Sequence, residues 1–271
     1  MPIVGGEPVE PGRWPAVVGV NTGQICSGTL VAPDLVLTAA HCFDPEPSQA
    51  VRVFFGDDLF TGRVVLSNDW ARHPDYCLPT VCGDDLHDFA WIRLPSPADV
   101  EPITPIRTQA EFDEGLRVGA SLWLVGFGRD EHGVAGIKRE VLTSLVEIGE
   151  SGREFRAGGD GNDTCSGDSG GPALVQLDSG EWRLAGVTSR GPECGQGGIY
   201  GVVTPELCWL RDSSGVDLLP AGCETCNCVV FETEDRDDVG CNCALTSRHE
   251  PGWLGLLVCS LLAIGSPLRR R

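Results

Sequence analysis

The feature that most limits how this chain can fold is a rhythm of short apolar runs separated by turn residues. The runs lie at 16–20, 29–31, 51–55, 62–66, 121–125, 140–143, 172–175 and 183–187. Runs of this length, broken by stretches such as Asn-Thr-Gly and Pro-Asp, follow a hairpin pattern rather than a helical one. Many short strands at regular spacing predict an all-β fold, either a sandwich or a barrel.

Composition excludes some classes of function. The 271 residues include 39 acidic and 20 basic side chains, which gives a net charge of -19. A nucleic-acid partner requires a basic face, so this balance argues against one. The 13 cysteines favour an oxidising compartment, where cysteines pair as disulfides.

The segment 163–172, Asp-Thr-Cys-Ser-Gly-Asp-Ser-Gly-Gly-Pro, is poor material for a helix or a strand because of its glycines and its proline. As a shaped loop it would expose the hydroxyl of Ser169. It would also turn the N–H groups of Gly167 and Ser169 toward one point, as an oxyanion hole requires. Gly, Asp and Ser also dominate surface turns, so the segment alone leaves an ordinary turn open.

A serine hydroxyl is a weak nucleophile, so this loop implies a general base and a group that orients the base. His41 ends an apolar run typical of a buried strand and is the candidate base. Asp88 stands directly before the apolar run 89–94. A buried aspartate must be paired, which makes Asp88 the candidate orienting carboxylate.

These three pieces, in the order His, Asp, Ser, resemble the chymotrypsin and trypsin family of serine proteases. The matching motifs are Thr-Ala-Ala-His-Cys at 38–42, Asp-Phe-Ala-Trp-Ile at 88–92 and Gly-Asp-Ser-Gly-Gly-Pro at 167–172. The resemblance, which extends from Ile3 to about Arg211, implies two packed six-stranded antiparallel barrels with the active site in the cleft between them. It also implies the catalytic residues His41, Asp88 and Ser169, with Gly167 and Ser169 forming the oxyanion hole.

The resemblance assigns a role to the first residues as well. In the family, cleavage frees the amine of an Ile-Val-Gly-Gly terminus, which inserts and pairs with the aspartate before the nucleophile. Here the pair would be Ile3 and Asp168, because a buried ammonium needs a carboxylate partner. Residues 1–2 are then a residual pre-sequence, and an activating protease is an expected partner.

Specificity is also implied by the resemblance, because Asp163, six residues before Ser169, would lie at the base of the primary pocket. A carboxylate in a narrow desolvated slot favours an arginine or lysine side chain. The other expected pocket residues are Thr164, Ser189, Gly191 and Gly198, with the glycines keeping the slot open. Arg190 replaces a family aromatic, which predicts a preference for acidic groups next to the basic residue.

Two disulfides are implied by the resemblance and one by proximity. The family bridges match Cys26 with Cys42 and Cys165 with Cys194. Cys77 and Cys82 are five apart inside an insertion at 76–85, which predicts that they pair locally. Two other family bridges are missing, and Arg156 stands where one of their cysteines would fall.

We predict neither a metal nor a cofactor. Four histidines show no metal-ligand spacing with one another: His73, His87, His132 and His249. His87, beside Asp88, is interpreted as a solvated neighbour rather than as a second base. A calcium site would need a proper ligand pattern, which is missing among Asp57, Asp58, Asp75, Asp84 and Asp85.

The composition changes after the predicted protease domain at 3–212. Residues 213–250 carry an acidic run and closely spaced cysteines, which predicts a cysteine-rich stalk. Cys208 is expected to pair with Cys223. The other four cysteines favour two more disulfides over a zinc site, with undecided connectivity: Cys226, Cys228, Cys241 and Cys243.

Residues 251–268 are uncharged and precede three arginines, which predicts a hydrophobic anchor or sorting tail over 251–271. The protease would then face the outside of the cell. The pattern of cysteines, apolar run and arginines resembles the C-terminal sorting tails of myxobacterial surface proteins, which can be removed during export.

The sequence therefore predicts a monomeric serine endopeptidase, secreted or tethered to the outer surface, that cleaves proteins or peptides after Arg or Lys through an acyl-enzyme. The rival hypothesis is an inert protease-like module that binds basic peptides without cutting them. The intact triad counts against that rival.

Overall fold

The computed structural model of the chain describes residues 3–82, 86–129, 135–223 and 229. Strands dominate these residues: β1 (Glu7–Pro8), β2 (Val17–Asn21), β3 (Ile25–Ala32), β4 (Leu35–Thr38), β5 (Val51–Phe55), β6 (Arg63–Ser67), β7 (Asp69–Arg72), β8 (Ala90–Arg93), β9 (Ser121–Gly126), β10 (Arg139–Ile148), β11 (Glu154–Ala157), β12 (Pro172–Gln176), β13 (Trp182–Arg190) and β14 (Gly198–Val202). The helices are α1 (Pro79–Cys82), α2 (Gln109–Gly115) and α3 (Leu207–Ser214), with 3-10 turns at Ala40–Phe43 and Thr204–Glu206.

The first sheet has the antiparallel order β6-β5-β2-β3-β4-β8-β7. Its two ends are consecutive in the chain, because Asn68 alone separates β6 from β7. One bent segment therefore pairs with β5 at one end and with β8 at the other, and the sheet curls into the first barrel. In β5 the side chains alternate as a barrel wall requires, with Val51 and Val53 inside and Arg52 outside.

The second sheet closes completely. Strands β9, β10, β11, β14, β13 and β12 form a ring of six, since β9 pairs with both β10 and β12, and the short β1 adds to β10 at one side. Its interior holds a separate apolar cluster that includes Ile3, Leu122, Phe155, Tyr200 and Val202. The predicted all-β fold with two barrels is confirmed.

The two barrels pack through a shared core. Leu174 and Leu184 of the second barrel belong to the same buried cluster as Leu30 and Ile92 of the first. Strands β12 and β13 of the second barrel thereby share one core with β3 and β8 of the first, which fixes the two barrels against each other. Residues that meet in the cleft therefore come from segments far apart in sequence.

The end of the described chain caps the first core. α3 closes on Gly215, whose φ of 75° is the left-handed conformation usual for a glycine after a helix. Leu218 beyond it is buried against the core of the first barrel, so packed structure continues past residue 212. The predicted stalk after Cys223, except residue 229, and the predicted segment 251–271 lie outside the described residues. In the part of the chain that is described, no helix has the length and apolar character needed to cross a membrane.

Candidate active site

Strand pairing in the first barrel brings His41 and Asp88 together. His41 lies on the 3-10 turn that follows β4, and Asp88 lies just before β8, which pairs with β4 through Thr38 and Ala90. The His41 Nδ1 atom is 2.7 Å from Asp88 Oδ2, and the His41 backbone N–H donates to Asp88 Oδ1 at 2.9 Å. From the second barrel, Ser189 Oγ donates to Asp88 Oδ2 at 2.6 Å.

These contacts oppose the effect of burial on both ionisable groups. Burial disfavours the Asp88 carboxylate, but the hydrogen bond and charge of His41 and the bond from Ser189 hold the pKa of Asp88 below its ordinary value. Burial likewise disfavours the imidazolium, yet the hydrogen bond and charge of Asp88 raise the pKa of His41. The pair is suited to a histidine that gains a proton during a reaction.

The Ser169 loop is pressed against the first barrel. A Cβ at Gly170 would collide with the Thr38 hydroxyl and the Ser27 carbonyl, so only glycine allows this approach. The Ser169 carbonyl accepts from the Ser27 N–H at 2.8 Å, and Cys42 Sγ lies 3.8 Å from the same oxygen. Because Cys42 follows His41, this packing brings the Ser169 loop to the segment that carries His41. Within the described residues, no hydrogen bond joins the Ser169 hydroxyl to His41.

The same loop presents backbone donors. Gly167 has a φ of 100°, which favours glycine. The N–H groups of Asp168, Gly170 and Gly171 donate to backbone carbonyls, whereas those of Gly167 and Ser169 donate to no acceptor in the described part of the chain. This is the donor arrangement that an oxyanion hole requires.

A cavity of about 180 Å³ extends from Ser169 into the second barrel. All five expected pocket residues line it: Asp163, Thr164, Ser189, Gly191 and Gly198. A Cβ at Gly198 would lie 2.9 Å from the Tyr200 hydroxyl and 3.1 Å from Thr164 Oγ1, so a side chain here would displace one wall. The cavity suits a slender, extended group.

Asp163 is 2% exposed at this cavity. Its carboxylate accepts from the N–H groups of Thr164 at 2.7 Å, Gly197 at 2.9 Å and Gly195 at 3.2 Å. Burial nevertheless outweighs these bonds and raises the pKa of Asp163. A cationic group beside this carboxylate would restore its ordinary ionisation.

Asp168 is fully buried, and the N–H groups of Gly128 and Cys165 donate to it at 2.8 and 2.9 Å. Burial raises the pKa of Asp168 to about 7. Ile3 is 1% exposed in the core of the second barrel, and the Val4 N–H and carbonyl bond to the backbone of Asp163. The first residues thus lie beside the pocket loop, while the pairing of an Ile3 amine with Asp168 stays a prediction.

Two of the expected disulfides are present, Cys26–Cys42 and Cys165–Cys194. The second lines the cavity next to Asp163. Cys77 is disulfide-bonded, but the side chain of its predicted partner Cys82 lies outside those described. Cys208 and Cys223 are each disulfide-bonded, and their pairing with one another stays a prediction.

Ser27 is a residue that sequence reasoning missed. Its hydroxyl donates to the Gly167 carbonyl and accepts from the Phe127 N–H, both at 3.0 Å, so it ties the catalytic loop to β3 and to the end of β9. No signal in the sequence marks Ser27, because its two partners lie 140 and 100 residues away along the chain.

Arg190 and His87 have partners that the sequence did not indicate. The Arg190 guanidinium forms two bonds of 2.7 Å with Glu154, which compensates its charge, and the expected preference for acidic substrate groups stays a prediction. His87 is not a solvated neighbour, since its Nδ1 atom lies 3.2 Å from Glu206 Oε1 and its ring stacks on His73 at 4.6 Å.

His73, His87 and Glu206 have the spacing of a metal-binding group, the only such group among the described residues besides one that contains disulfide cysteines. The Asp75 N–H donates to His73 Nδ1, so the proton of that imidazole is on Nε2, which faces Glu206 Oε2 at 3.2 Å. A metal at Nε2 would require the opposite tautomer. We therefore interpret the group as a hydrogen-bonded cluster. Of the calcium candidates, Asp57 pairs with Lys138 at 3.2 Å, whereas Asp84 and Asp85 lie outside the described residues.

A two-barrel fold with a serine, a histidine and an aspartate in its cleft defines the class of serine proteases. The trypsin family model matches residues 3–207. Two curated proteins are similar over 77% of this chain: spermosin of Halocynthia roretzi at 29% identity and tryptase of Mus musculus at 28%. The matches cover 61% of spermosin and 87% of tryptase. The chain belongs to the trypsin family of serine proteases.

Proposed function

We propose that this protein is an active endopeptidase that cleaves peptide bonds after arginine or lysine. The observation that carries the specificity is the buried carboxylate of Asp163 in the cavity that Ser169 also lines. A long cationic side chain in this slot would meet a carboxylate, whereas a neutral one would leave a buried charge uncompensated. Peptide substrates follow from membership of the family.

In the proposed reaction, Ser169 Oγ attacks the carbonyl carbon of the substrate while its proton moves to His41. Asp88 stabilises the imidazolium, and the N–H groups of Gly167 and Ser169 stabilise the oxyanion. His41 then gives the proton to the departing amine, which leaves an acyl ester on Ser169. Water repeats the sequence, with His41 as its base, and releases the carboxylic acid product.

We also propose that the amine of Ile3, once freed by cleavage, pairs with Asp168. This proposal is supported by the burial of Ile3, by the bonds between Val4 and Asp163, and by the raised pKa of Asp168. An ammonium beside Asp168 would restore the ionised carboxylate at neutral pH. The unprocessed chain is expected to be inactive.

The test is hydrolysis of chromogenic peptides that carry Arg, Lys, Phe or Ala before the scissile bond, by the full chain cleaved in front of Ile3. We expect turnover of the Arg and Lys peptides alone, and its loss in Ser169→Ala. Turnover of the Phe or Ala peptides would keep the protease and discard the role of Asp163.

One measurement distinguishes the protease from the rival function, an inert module that binds basic peptides. An active site reacts covalently with a serine-directed phosphonate, and the label would disappear in Ser169→Ala. An unlabelled chain that still binds Arg peptides, with Ile3 freed, would favour the module.

Export is proposed on the disulfides Cys26–Cys42 and Cys165–Cys194, which persist in oxidising compartments. The protein would be secreted or held at the outer surface by its C-terminal segment. Digestion of intact producing cells by an external protease, followed by immunoblotting, tests this: survival of the chain until the cells are lysed would contradict it.

A further inference from the structure

Six charged or imidazole side chains near the segment that carries Asp88 connect the first barrel to the second barrel and to the turn before α3. They form what we call the cross-barrel cluster: His73, His87, Arg153, Glu154, Arg190 and Glu206. The two histidines flank the pairing of β7 with β8 in the first barrel. The other four lie on the second barrel or on the 3-10 turn before α3.

Glu206 is the centre of one half of the cluster. Its side chain is 4% exposed, and three groups surround its carboxylate, each at 3.2 Å: His73 Nε2, His87 Nδ1 and Arg153 Nη1. Because a buried carboxylate must be compensated, Glu206 binds both imidazoles firmly. The first barrel is thereby attached to the turn before α3.

Glu154 is the centre of the other half. Besides its two bonds to Arg190, it accepts the N–H of Leu86 at 3.3 Å. Leu86 lies two residues before Asp88, and Arg190 directly follows Ser189, which donates to Asp88. Glu154 thus contacts Leu86, which precedes Asp88 in the chain, and Arg190, which is next to the serine that donates to Asp88.

The backbone between these anchors is strained. His87 has a φ of 46°, in the left-handed region that residues other than glycine rarely adopt. Its carbonyl accepts from the Phe89 N–H at 2.8 Å, which makes a tight turn with Asp88 in the middle. A strained residue of this kind persists only where surrounding contacts determine it, and here those contacts are Glu206 and the stacked ring of His73.

We propose that Glu154, on the second barrel, and Glu206, on the 3-10 turn before α3, are positioning residues of the triad, which hold Leu86 and His87 and so fix Asp88 against His41. His41 and Asp88 belong to the first barrel, whereas Ser169 belongs to the second, so a tie across the cleft also aligns the base with the nucleophile. This inference rests on the proposed proteolytic function, but one of its tests does not require catalysis.

The first test is an NMR titration of the His41 imidazole in the full chain carrying Ser169→Ala. His87→Gly removes the ring and tolerates the left-handed backbone, so the variant is expected to fold. If the cluster holds Asp88, the pKa of His41 falls in His87→Gly, in Glu206→Gln and in Glu154→Gln, because Asp88 raises it. His87→Asn tolerates the same φ and offers an N–H donor to Glu206, so the pKa of His41 in this variant should lie between those of His87→Gly and the parent chain.

The matched control for Glu206→Gln is Glu46→Gln, which removes an exposed carboxylate paired with Arg72 at 3.2 Å. We expect the control to leave the pKa of His41 unchanged. Folded His87→Gly, Glu206→Gln and Glu154→Gln chains that keep the parent pKa of His41 would overturn the proposal.

The second test is kinetic and uses the processed chain with Ser169 intact. In Glu206→Gln, misplacing Asp88 by a fraction of an ångström is expected to lower kcat on an Arg peptide by about 10- to 100-fold. KM should change less than about twofold, because Glu206 does not line the pocket at Asp163. A raised KM at constant kcat would instead assign the cluster to substrate binding and reject the positioning role. If the parent chain hydrolyses nothing, the proposed function fails, while the titration still decides the role of the cluster.

Discussion

Buried carboxylates on the two sides of the cleft have opposite properties. On the first barrel, His41 and Ser189 contact Asp88, and the pKa of Asp88 is lowered. On the second barrel, backbone N–H groups hold Asp163 and Asp168, and burial raises the pKa of both. Neutral donors offset desolvation incompletely, whereas a partner able to carry positive charge reverses it.

Asp88 has its partner, His41, within the folded chain, whereas Asp163 and Asp168 lie in sites where an added cation would stabilise the carboxylate. Under the proposed function, the cation for Asp163 is a substrate side chain, and the cation for Asp168 is the amine of Ile3. Changing each carboxylate should therefore alter a different property: chemistry at Asp88, specificity at Asp163 and the pH dependence of folding at Asp168.

The largest effect is expected at Asp88. Asp88→Asn removes the charge that stabilises the imidazolium and permits the wrong tautomer of His41, so kcat on an Arg peptide should fall by about 10⁴-fold, the size known for this triad, with little change in KM. Steady-state kinetics at pH 8 measures this. Asp34→Asn, at an aspartate of the first barrel paired with Arg93, is the control. Loss of less than about tenfold in kcat would contradict the assigned role of Asp88.

A smaller, substrate-dependent effect is expected at Asp163. In Asp163→Asn a buried cationic side chain would lose its charged partner, which costs about 3–5 kcal/mol. We expect kcat/KM for Arg and Lys peptides to fall by about 10³-fold, with no loss for an Ala peptide. Asp160→Asn, at an exposed aspartate of the same loop, should leave kcat/KM unchanged. Equal losses on all peptides would show that Asp163 has a structural role only.

Asp168 should control how stability depends on pH in chains that retain Met1 and Pro2. Its pKa in the folded state, about 7, exceeds the ordinary 3.8, so folding favours the protonated form. The associated stability is fully present below pH 3.8 and is lost as pH rises through 7, a loss of up to about 4 kcal/mol.

Urea unfolding between pH 5 and pH 8 measures the part of this loss that lies above pH 5, which should be smaller in Asp168→Asn and after cleavage in front of Ile3. The difference between the parent and Asp168→Asn isolates Asp168 from other titrating groups. Parallel stability curves for the two chains would argue against the raised pKa.

The smallest effect is expected at Ser189. Ser189→Ala removes a neutral donor from Asp88 but leaves both bonds from His41, so kcat should fall by about tenfold. Ser67→Ala, which removes another part-buried hydroxyl of the first barrel, is the control for general loss of packing. A decrease as large as that in Asp88→Asn would mean that Ser189, rather than His41, is the main partner of Asp88.

The sequence identified the residues of the cleft where local motifs carry them. His41 and Cys42 share one motif, and Asp163, Gly167, Asp168 and Ser169 share one loop, so each group follows from a few adjacent residues. The rhythm of short apolar runs separated by turn residues was likewise sufficient for the all-β class, because runs of this length between turns are typical of hairpin strands.

The charged pairs between distant segments could not be predicted from the sequence, because they depend on how the barrels pack. His87 and Glu206 are 119 residues apart, and Arg190 and Glu154 are 36 apart, with no periodicity that links them. Arg190 was therefore expected to meet acidic substrate groups, and His87 to be solvated, since neither partner is visible along the chain.

What the sequence determined by itself is the family, the strand-rich fold and the residues that meet in the cleft, because these depend on local motifs and on the spacing of short apolar runs. The tertiary structure alone decided which charges are compensated. The ionisation of Asp88, Asp163 and Asp168 depends on burial and on the groups that packing brings within about 3 Å of them. Solvation and distance are properties of the packed chain, and a list of residues does not contain them.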